Sequence, residues 1–251
     1  MRQRSWYTIA GAGVLAAVAF AGCTAWESRE LPPVLDAAGV SQEQAMQSSL
    51  PEQFALVAQR YRAFNEIVTE TQLGVHQGEW ISSGPMGNFM TMGGDGLSSA
   101  LAGQADGDNS YYLDAFWRLD NVDAPEAKLE AAQARWESEG WVTSKDESDV
   151  IPGAFRVTAT AEDGTWLALS MMRGGISLTA YSGVYWGDRE ALAAAIWNIM
   201  QNERNEGIGW RPERVNAEGY GLIRPGEYAP YPAWHDIAYA ERLEESPLWA
   251  E

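Results

Sequence analysis

The chain has few of the residues on which metal and thiol chemistry depend. Its 251 residues include one cysteine, Cys23, and two histidines, His76 and His235. A protein zinc site needs several such ligands at suitable spacing, and these histidines are far apart in the sequence. A single cysteine forms no internal disulfide, so the stability must come from burial of a core. We therefore predict no bound metal and no cofactor.

Basic residues are also scarce. Lysine and arginine together number 17 against 35 aspartates and glutamates, which gives a formal net charge of −18. Nucleic-acid binding depends on clustered basic side chains that neutralise phosphates, so we predict no nucleic-acid partner. The acidic surface should also repel anionic lipid headgroups. Membrane contact therefore requires an attached lipid rather than the face of a domain.

The sequence motifs of several common enzyme classes are missing. The chain has no G-x-S-x-G elbow and no S-x-x-K motif. The "GGDG" at 93–96 lacks the lysine of a phosphate-binding loop. The "DGDNS" segment begins like a calcium-binding loop, but Tyr111 and Trp117 stand where that loop requires glycine and glutamate. A glycosidase with two catalytic carboxylates is not excluded, but the acidic residues are too numerous for the sequence to indicate which two would serve.

The amino terminus carries a pattern typical of exported proteins. Two arginines precede an uncharged run from Trp6 to Gly22, which is as long as a signal-peptide core and short for a membrane span. The segment "VAFAGC" resembles the bacterial lipobox, with Phe20 in place of the commoner leucine. The resemblance implies diacylglyceryl transfer to the Cys23 thiol, cleavage after Gly22 and acylation of the new amino terminus. An ordinary secretory signal with an incidental cysteine, or an uncleaved membrane anchor, would also export the chain.

Three helices are predicted after this region. The first begins at a capping box formed by Ser49 and Glu52 and continues to about Gln72. Its buried stripe is predicted to comprise Phe54, Val57, Tyr61, Phe64 and Val68. Asp123 is predicted to cap the second helix, which ends at Gly140, and Asp188 to cap the third. The core face of the third helix is predicted to comprise Leu192, Ala195, Ile196 and Ile199.

Strands are predicted between these helices. A short strand is expected at 78–84, a strand rich in aromatic residues at 111–122, and a third strand at 140–148. The alternating stretch after residue 154 is broken by turn residues at 162–164 and 173–175, which predicts a three-stranded meander. The resulting division of the chain is a signal peptide at 1–22, a tether at 23–42, a folded domain at 43–207 with a flexible insertion at 84–110, and an extended C-terminal arm at 208–251.

This order of elements predicts an α+β fold. Strands joined by tight turns favour a mainly antiparallel sheet, and helices packed on one face would make it a two-layer sandwich. Together with the lipobox, the segments "QRYRAF", "PEAKLEAAQARWESEGW" and "GGISLTAYSG" resemble the actinobacterial LppA-type lipoproteins over roughly residues 45–185. The resemblance implies an envelope lipoprotein of undefined activity and carries over no catalytic residue.

Tryptophan is the one unusual chemical resource of the chain, with 12 residues. Tryptophan rings stack on sugars and on apolar protein surfaces, so Trp80, Trp117 and Trp166 are candidate contacts for a ligand or partner. The alternative, favoured for most of them, is that they pack beneath the helices. Met90 and Met92 lie in a methionine cluster that could form an adaptable contact surface or fill a loop.

These observations predict a non-enzymatic binding or interaction protein of unknown ligand. A lipid on Cys23 would hold it at the extracytoplasmic face of the cell membrane, with an envelope protein or a cell-wall glycan as partner. The binding surface is expected at the open rim of the sheet, with the 84–110 segment and the C-terminal arm. The alternatives are a cell-wall or glycan hydrolase with a carboxylate pair, and an accessory subunit of an envelope transport or secretion complex.

Overall fold

A computed structural model describes residues 34–82, 91–92, 107–148 and 151–234. The signal peptide, Gly22, Cys23, Met90 and most of the predicted 84–110 insertion lie outside these residues. The helices are α1 (Gln42–Gln47), α2 (Leu50–Val75), α3 (Pro125–Ser138) and α4 (Arg189–Asn205). The strands are β1 (Trp80–Ser82), β2 (Thr91–Met92), β3 (Ser110–Tyr112), β4 (Asp114–Asp120), β5 (Val142–Glu147), β6 (Phe155–Thr160), β7 (Trp166–Met172), β8 (Gly175–Tyr181), β9 (Tyr185–Trp186), β10 (Arg214–Val215) and β11 (Gly221–Ile223).

The described strands form one large and one small antiparallel sheet. The large sheet has eight strands in the order β10-β11-β1-β4-β8-β7-β6-β5, and the small sheet has the order β2-β3-β9. The predicted meander is confirmed as β6, β7 and β8, which pair in sequence. The fold is α+β, as the sequence predicts, with helices packed against the antiparallel sheet.

Alternation along β4 shows how the sheet separates core from solvent. Trp117 and Leu119 face the core, while Phe116 and Asp120, between and beside them, are exposed. The core under the large sheet includes the buried faces of α2 and α3. Every residue of the predicted α2 stripe is buried, which confirms that prediction.

A second cluster joins α2 to α4 beside the small sheet. Phe54 and Val57 of α2 pack with Tyr111 and Tyr185 of the small sheet. The four predicted core residues of α4 are buried in the same cluster, and Asp188 accepts a hydrogen bond from the Ala191 amide as its predicted cap. Helix α2 therefore joins the two cores, because one stretch of it faces the large sheet and another stretch faces α4.

The start of α3 differs from the prediction. Its cap position is Ala124, not Asp123, and no side chain accepts a hydrogen bond there. Ala124 has a left-handed backbone, with a φ of 48°, and Pro125 follows as the first helical residue. The fixed φ of proline suits the first turn, so the helix begins at Pro125 without a side-chain cap.

The predicted strand at 111–122 is two strands in different sheets. Tyr111 pairs with Tyr185 in the small sheet, and β4 pairs with β8 in the large one. Leu113, between β3 and β4, is fully buried, and the Ser182 hydroxyl accepts its backbone N–H. The single predicted strand was therefore wrong, because the chain changes sheets at a buried leucine that no turn residue marks.

The boundaries of the tether and of the arm also differ from the structure. Asp36, in the predicted 23–42 tether, is buried and forms an ion pair of 3.3 Å with Arg60 of α2. Residues of the predicted 208–251 arm supply β10 and β11, and β11 pairs with β1. Described residues on both sides of the predicted 43–207 domain thus belong to the fold, because they complete its polar network and its sheet.

Candidate functional site: a cleft beside helix α4

The candidate site is a cleft of about 650 Å³ between the end of α4, the β10–β11 hairpin and residues 229–232. This volume lies within the range of about 300–1,000 Å³ that is typical of small-molecule sites. The cleft is lined by Ser82, Met200, Glu203, Arg204, Gly209, Trp210, Arg211, Pro212, Val215, Glu218, Gly219, Tyr220, Gly221, Ala229, Pro230 and Pro232.

The end of α4 sets one wall of the cleft. Gly207 adopts a φ of 76°, which lets the chain reverse after the helix. The amides of Ile208 and Gly209 then both donate to the Glu203 carbonyl at 2.9 Å. This tight turn places Trp210 beside the core, against which it packs.

The β10–β11 hairpin forms the rim. The Asn216 side chain accepts hydrogen bonds from the Glu218 and Tyr220 amides, which fixes the turn between the strands. Gly221 is needed in this hairpin, because a Cβ there would overlap the Pro212 ring. The turn holds the Tyr220 ring on the rim, where it is exposed.

Ala229, Pro230 and Pro232 form the third wall, and neighbouring aromatic residues hold this segment against α2. Tyr228, Tyr231 and Trp234 pack on α2, where Phe54 lies with its ring centroid 4.9 Å from that of Tyr231. The Tyr61 hydroxyl donates to the Ala229 carbonyl at 2.8 Å. Burial raises the pKa of Tyr61 well above its usual range, so the hydroxyl keeps its proton at neutral pH. These contacts position the backbone of the cleft wall around Ala229.

The cleft lining contains two arginines, Arg204 and Arg211, and two glutamates, Glu203 and Glu218. Arg204 and Arg211 form no ion pair with any other residue in the described part of the chain. In contrast, Arg118 contacts Asp120 and Glu218, and Arg214 contacts Glu79 and Glu227. Arginines that keep unused charge in a chain this acidic are free to pair with an anionic ligand.

A buried hydrogen-bond donor without a partner among the described residues belongs to Trp117, next to the cleft. Trp117 is 4% exposed, and its Nε1 has no hydrogen-bond partner among the described residues. It lines a small cavity of about 10 Å³ whose walls include Ser82, Trp210 and Ala229. Those three residues also line the large cleft, so the small cavity that Trp117 lines adjoins the cleft.

The described residues among the predicted contacts lie in four different places. Trp80 is fully buried and its Nε1 donates to the His76 carbonyl, so it serves the core and not a surface. Trp117 lies next to the cleft, as described above. Trp166 is partly exposed and stacks on Tyr181, at a centroid distance of 5.4 Å. Met92 lies in β2 of the small sheet, so the structure does not bring it and the three tryptophans together in one site.

The residues that line the cleft were not singled out from the sequence. The available signal was the density of proline and aromatic residues after Trp210, which indicated only an arm. Within the described ranges, no three histidine, cysteine or acidic side chains gather as a group that could hold a metal ion. Over the same ranges, no helix combines the length and the apolar character of a membrane span.

Comparisons with known proteins assign the chain to no family. No protein-family model matches the chain, and no curated protein matches it. Among solved structures, the chain aligns in part with the crystal structure of a DUF4853 family protein from Actinomyces odontolyticus, at 10% identity and a TM-score of 0.31. The match covers 53% of this chain and 64% of that one, which is less than two thirds of that protein's length. A likeness this distant assigns neither family nor function, and the LppA-type resemblance stays a prediction.

Proposed function

We propose that the protein is a lipid-anchored binding protein of the cell envelope, and that the cleft beside α4 is its ligand site. The lipobox resemblance at Cys23 supports the anchor and the extracytoplasmic location. The observation that carries the binding role is the lining of the cleft, which joins aromatic rings with unpaired arginines. Sites of this kind bind by apolar contact and are oriented by a few polar groups.

The hydrolase alternative fits the cleft less well. A glycosidase needs two carboxyl groups about 5–9.5 Å apart, with the general acid in a setting that raises its pKa. Glu218 lies on the rim with its side chain largely exposed and 3.7 Å from Arg118. The buried carboxylate of Asp36 lies outside the cleft and is held by Arg60. The cleft lining also includes Glu203, which is half-buried, so neither of its two carboxylates has the buried setting that a general acid needs. This favours binding without hydrolysis.

The anchor is tested by Cys23→Ala, with Thr24→Ala as a matched control. The variant lacking the thiol should incorporate no labelled fatty acid and should appear in the medium or stay unprocessed. The control should be labelled and sediment with the membrane. A Cys23→Ala protein that is still processed and membrane-bound would contradict the anchor.

The binding site is tested by co-sedimentation of the full-length chain with purified cell-envelope fragments. Tyr220→Ala removes the exposed ring on the cleft rim and should reduce the bound fraction. Trp197→Ala is the control, because Trp197 is an exposed aromatic residue of α4 that does not line the cleft. Equal binding by both variants and the parent would contradict a role for the cleft.

A further inference from the structure

We infer that the cleft binds a saccharide that carries a carboxylate or phosphate group. The inference rests on the proposed function, since it names the ligand class of the same site. Three independent features of the lining support it: unpaired cations, exposed ring faces, and polar groups suited to hydroxyls.

The cations call for an anionic group on the ligand. The chain has 35 acidic residues, yet neither Arg204 nor Arg211 pairs with a described one. Arg135 and Arg214 do form such pairs, whereas the exposed residues Arg62, Arg173 and Arg224 form none with described residues. What distinguishes Arg204 and Arg211 is that both line the cleft. A guanidinium binds carboxylate or phosphate through two parallel hydrogen bonds, so these two side chains match such a group.

The aromatic residues call for a ligand with a flat apolar face. Tyr220 is exposed on the rim, and Trp210 is partly buried along the wall. Rings of this kind present a broad face with a polar edge, and they contribute large contact area at low entropic cost. The C–H face of a sugar ring can lie on such a surface. A small inorganic anion would use the arginines but leave these rings without a role.

The polar groups call for hydroxyls. A hydroxyl both donates and accepts, whereas a carboxylate only accepts and an indole N–H only donates. Glu203 of α4 lines the cleft and can accept, and Trp117, whose N–H can donate, lines the small cavity that adjoins it. The small cavity of about 10 Å³ is close to the smallest space that holds one water. A ligand oxygen, or a water that relays to it, would meet the buried donor.

A proline-rich peptide is the rival ligand, because aromatic grooves also bind such segments. The peptide would use the rings but has no anion for the two arginines. The test therefore compares glucuronic acid, glucose 6-phosphate, neutral glucose and a proline-rich peptide. Binding to the full-length chain in detergent is measured by ligand-detected nuclear magnetic resonance titration.

We expect both anionic sugars to bind, and glucose to bind at least about tenfold more weakly, since a charged hydrogen bond is lost. The double variant Arg204→Gln/Arg211→Gln should reduce the affinity for the anionic sugars to that for glucose. Arg173→Gln, at an exposed arginine of the β7–β8 turn, is the matched control and should change nothing. Trp117→Phe should weaken every sugar by about 2–10-fold through the lost donor, with its thermal unfolding checked in parallel.

Four results would overturn the inference: no binding by either anionic sugar, equal binding of glucose, equal effects of the double variant and its control, or binding of the peptide alone. The proposed function fails separately. If Tyr220→Ala still reduces envelope co-sedimentation, the cleft remains the site and only the ligand class is wrong. If Tyr220→Ala changes neither envelope nor sugar binding, the proposed function itself is wrong.

Discussion

The buried ion pair between Asp36 and Arg60 provides the sharpest stability prediction. The Asp36 side chain is 0% exposed and that of Arg60 is 9% exposed. Oδ1 of Asp36 accepts from the Ala38 and Val40 amides at 2.8 and 2.9 Å. Its Oδ2 accepts from Arg60 at 3.3 Å and from the Trp186 amide at 3.1 Å. One carboxylate thus joins the N-terminal segment, α2 and the small sheet.

Asp36→Asn tests this arrangement with almost no change in volume. The side-chain oxygen of the asparagine can still accept from the Ala38 and Val40 amides, as Oδ1 of Asp36 does. Its NH₂ group would then face two donors, those of Arg60 and Trp186. The guanidinium, which also donates to the Tyr111 hydroxyl and lies 4.2 Å from the Tyr185 ring centroid, would lose its buried counterion. Breaking a buried pair in this way costs about 3–5 kcal/mol, a large part of a typical total of about 5–15 kcal/mol.

The assay is urea unfolding of the parent and two variants, followed by circular dichroism. Asp146→Asn is the matched control, because Asp146 pairs with Arg156 at 3.5 Å on the surface. Exposed pairs contribute only about 0–1 kcal/mol. We expect a loss of at least about 3 kcal/mol for Asp36→Asn and little change for the control. A loss below about 1 kcal/mol for Asp36→Asn, equal to that of the control, would refute the reasoning.

Three further predictions concern stability. Burial raises the pKa of Tyr111 from 10.0 to about 12 and also raises that of Tyr185. Between these pH values the folded chain keeps protons that the unfolded chain releases, so the free energy of unfolding should fall from pH 10.0 to about pH 12. A flat profile in urea titrations over this range would disprove the linkage. Asp188→Ala removes the α4 cap and should cost about 0.5–2 kcal/mol in the same titrations, whereas Asp188→Asn keeps an acceptor and should cost less. Equal losses from the two variants would show that the capping hydrogen bond does not cause the loss. Gly183→Ala should cost about 1–3 kcal/mol, seen as a lower midpoint of thermal unfolding, because a Cβ there would overlap the Asp163 carbonyl and the Ala37 side chain; an unchanged midpoint would show that the backbone yields.

The elements that could be predicted are those with a local cause. The α2 stripe follows from apolar residues at helical spacing, and the β6–β8 meander from turn residues between alternating stretches. These patterns are complete within the segment itself. The small sheet could not be anticipated, because β2, β3 and β9 are distant in sequence and very short.

The polar network and the cleft depend on long-range partners, which explains why they were missed. The segment around Asp36 has the composition of a linker, but the partners of Asp36 lie 24 and 150 positions away, at Arg60 and Trp186. The cleft likewise joins Ser82 to residues of α4 and of the C-terminal region. The sequence makes Trp117 either a ligand contact or a core residue; the structure buries it, and only the packing shows that its N–H has no acceptor among the described residues.

Photocrosslinking in intact cells tests the central claim, that the cleft is the binding site, most directly. A photoreactive amino acid replaces Val215 on the cleft rim or Val142 at the opposite edge of the sheet, which are 60% and 76% exposed. The account predicts that irradiation joins envelope material to the chain from position 215 and not from position 142. Adducts from position 142 alone, or equally from both positions, would contradict it.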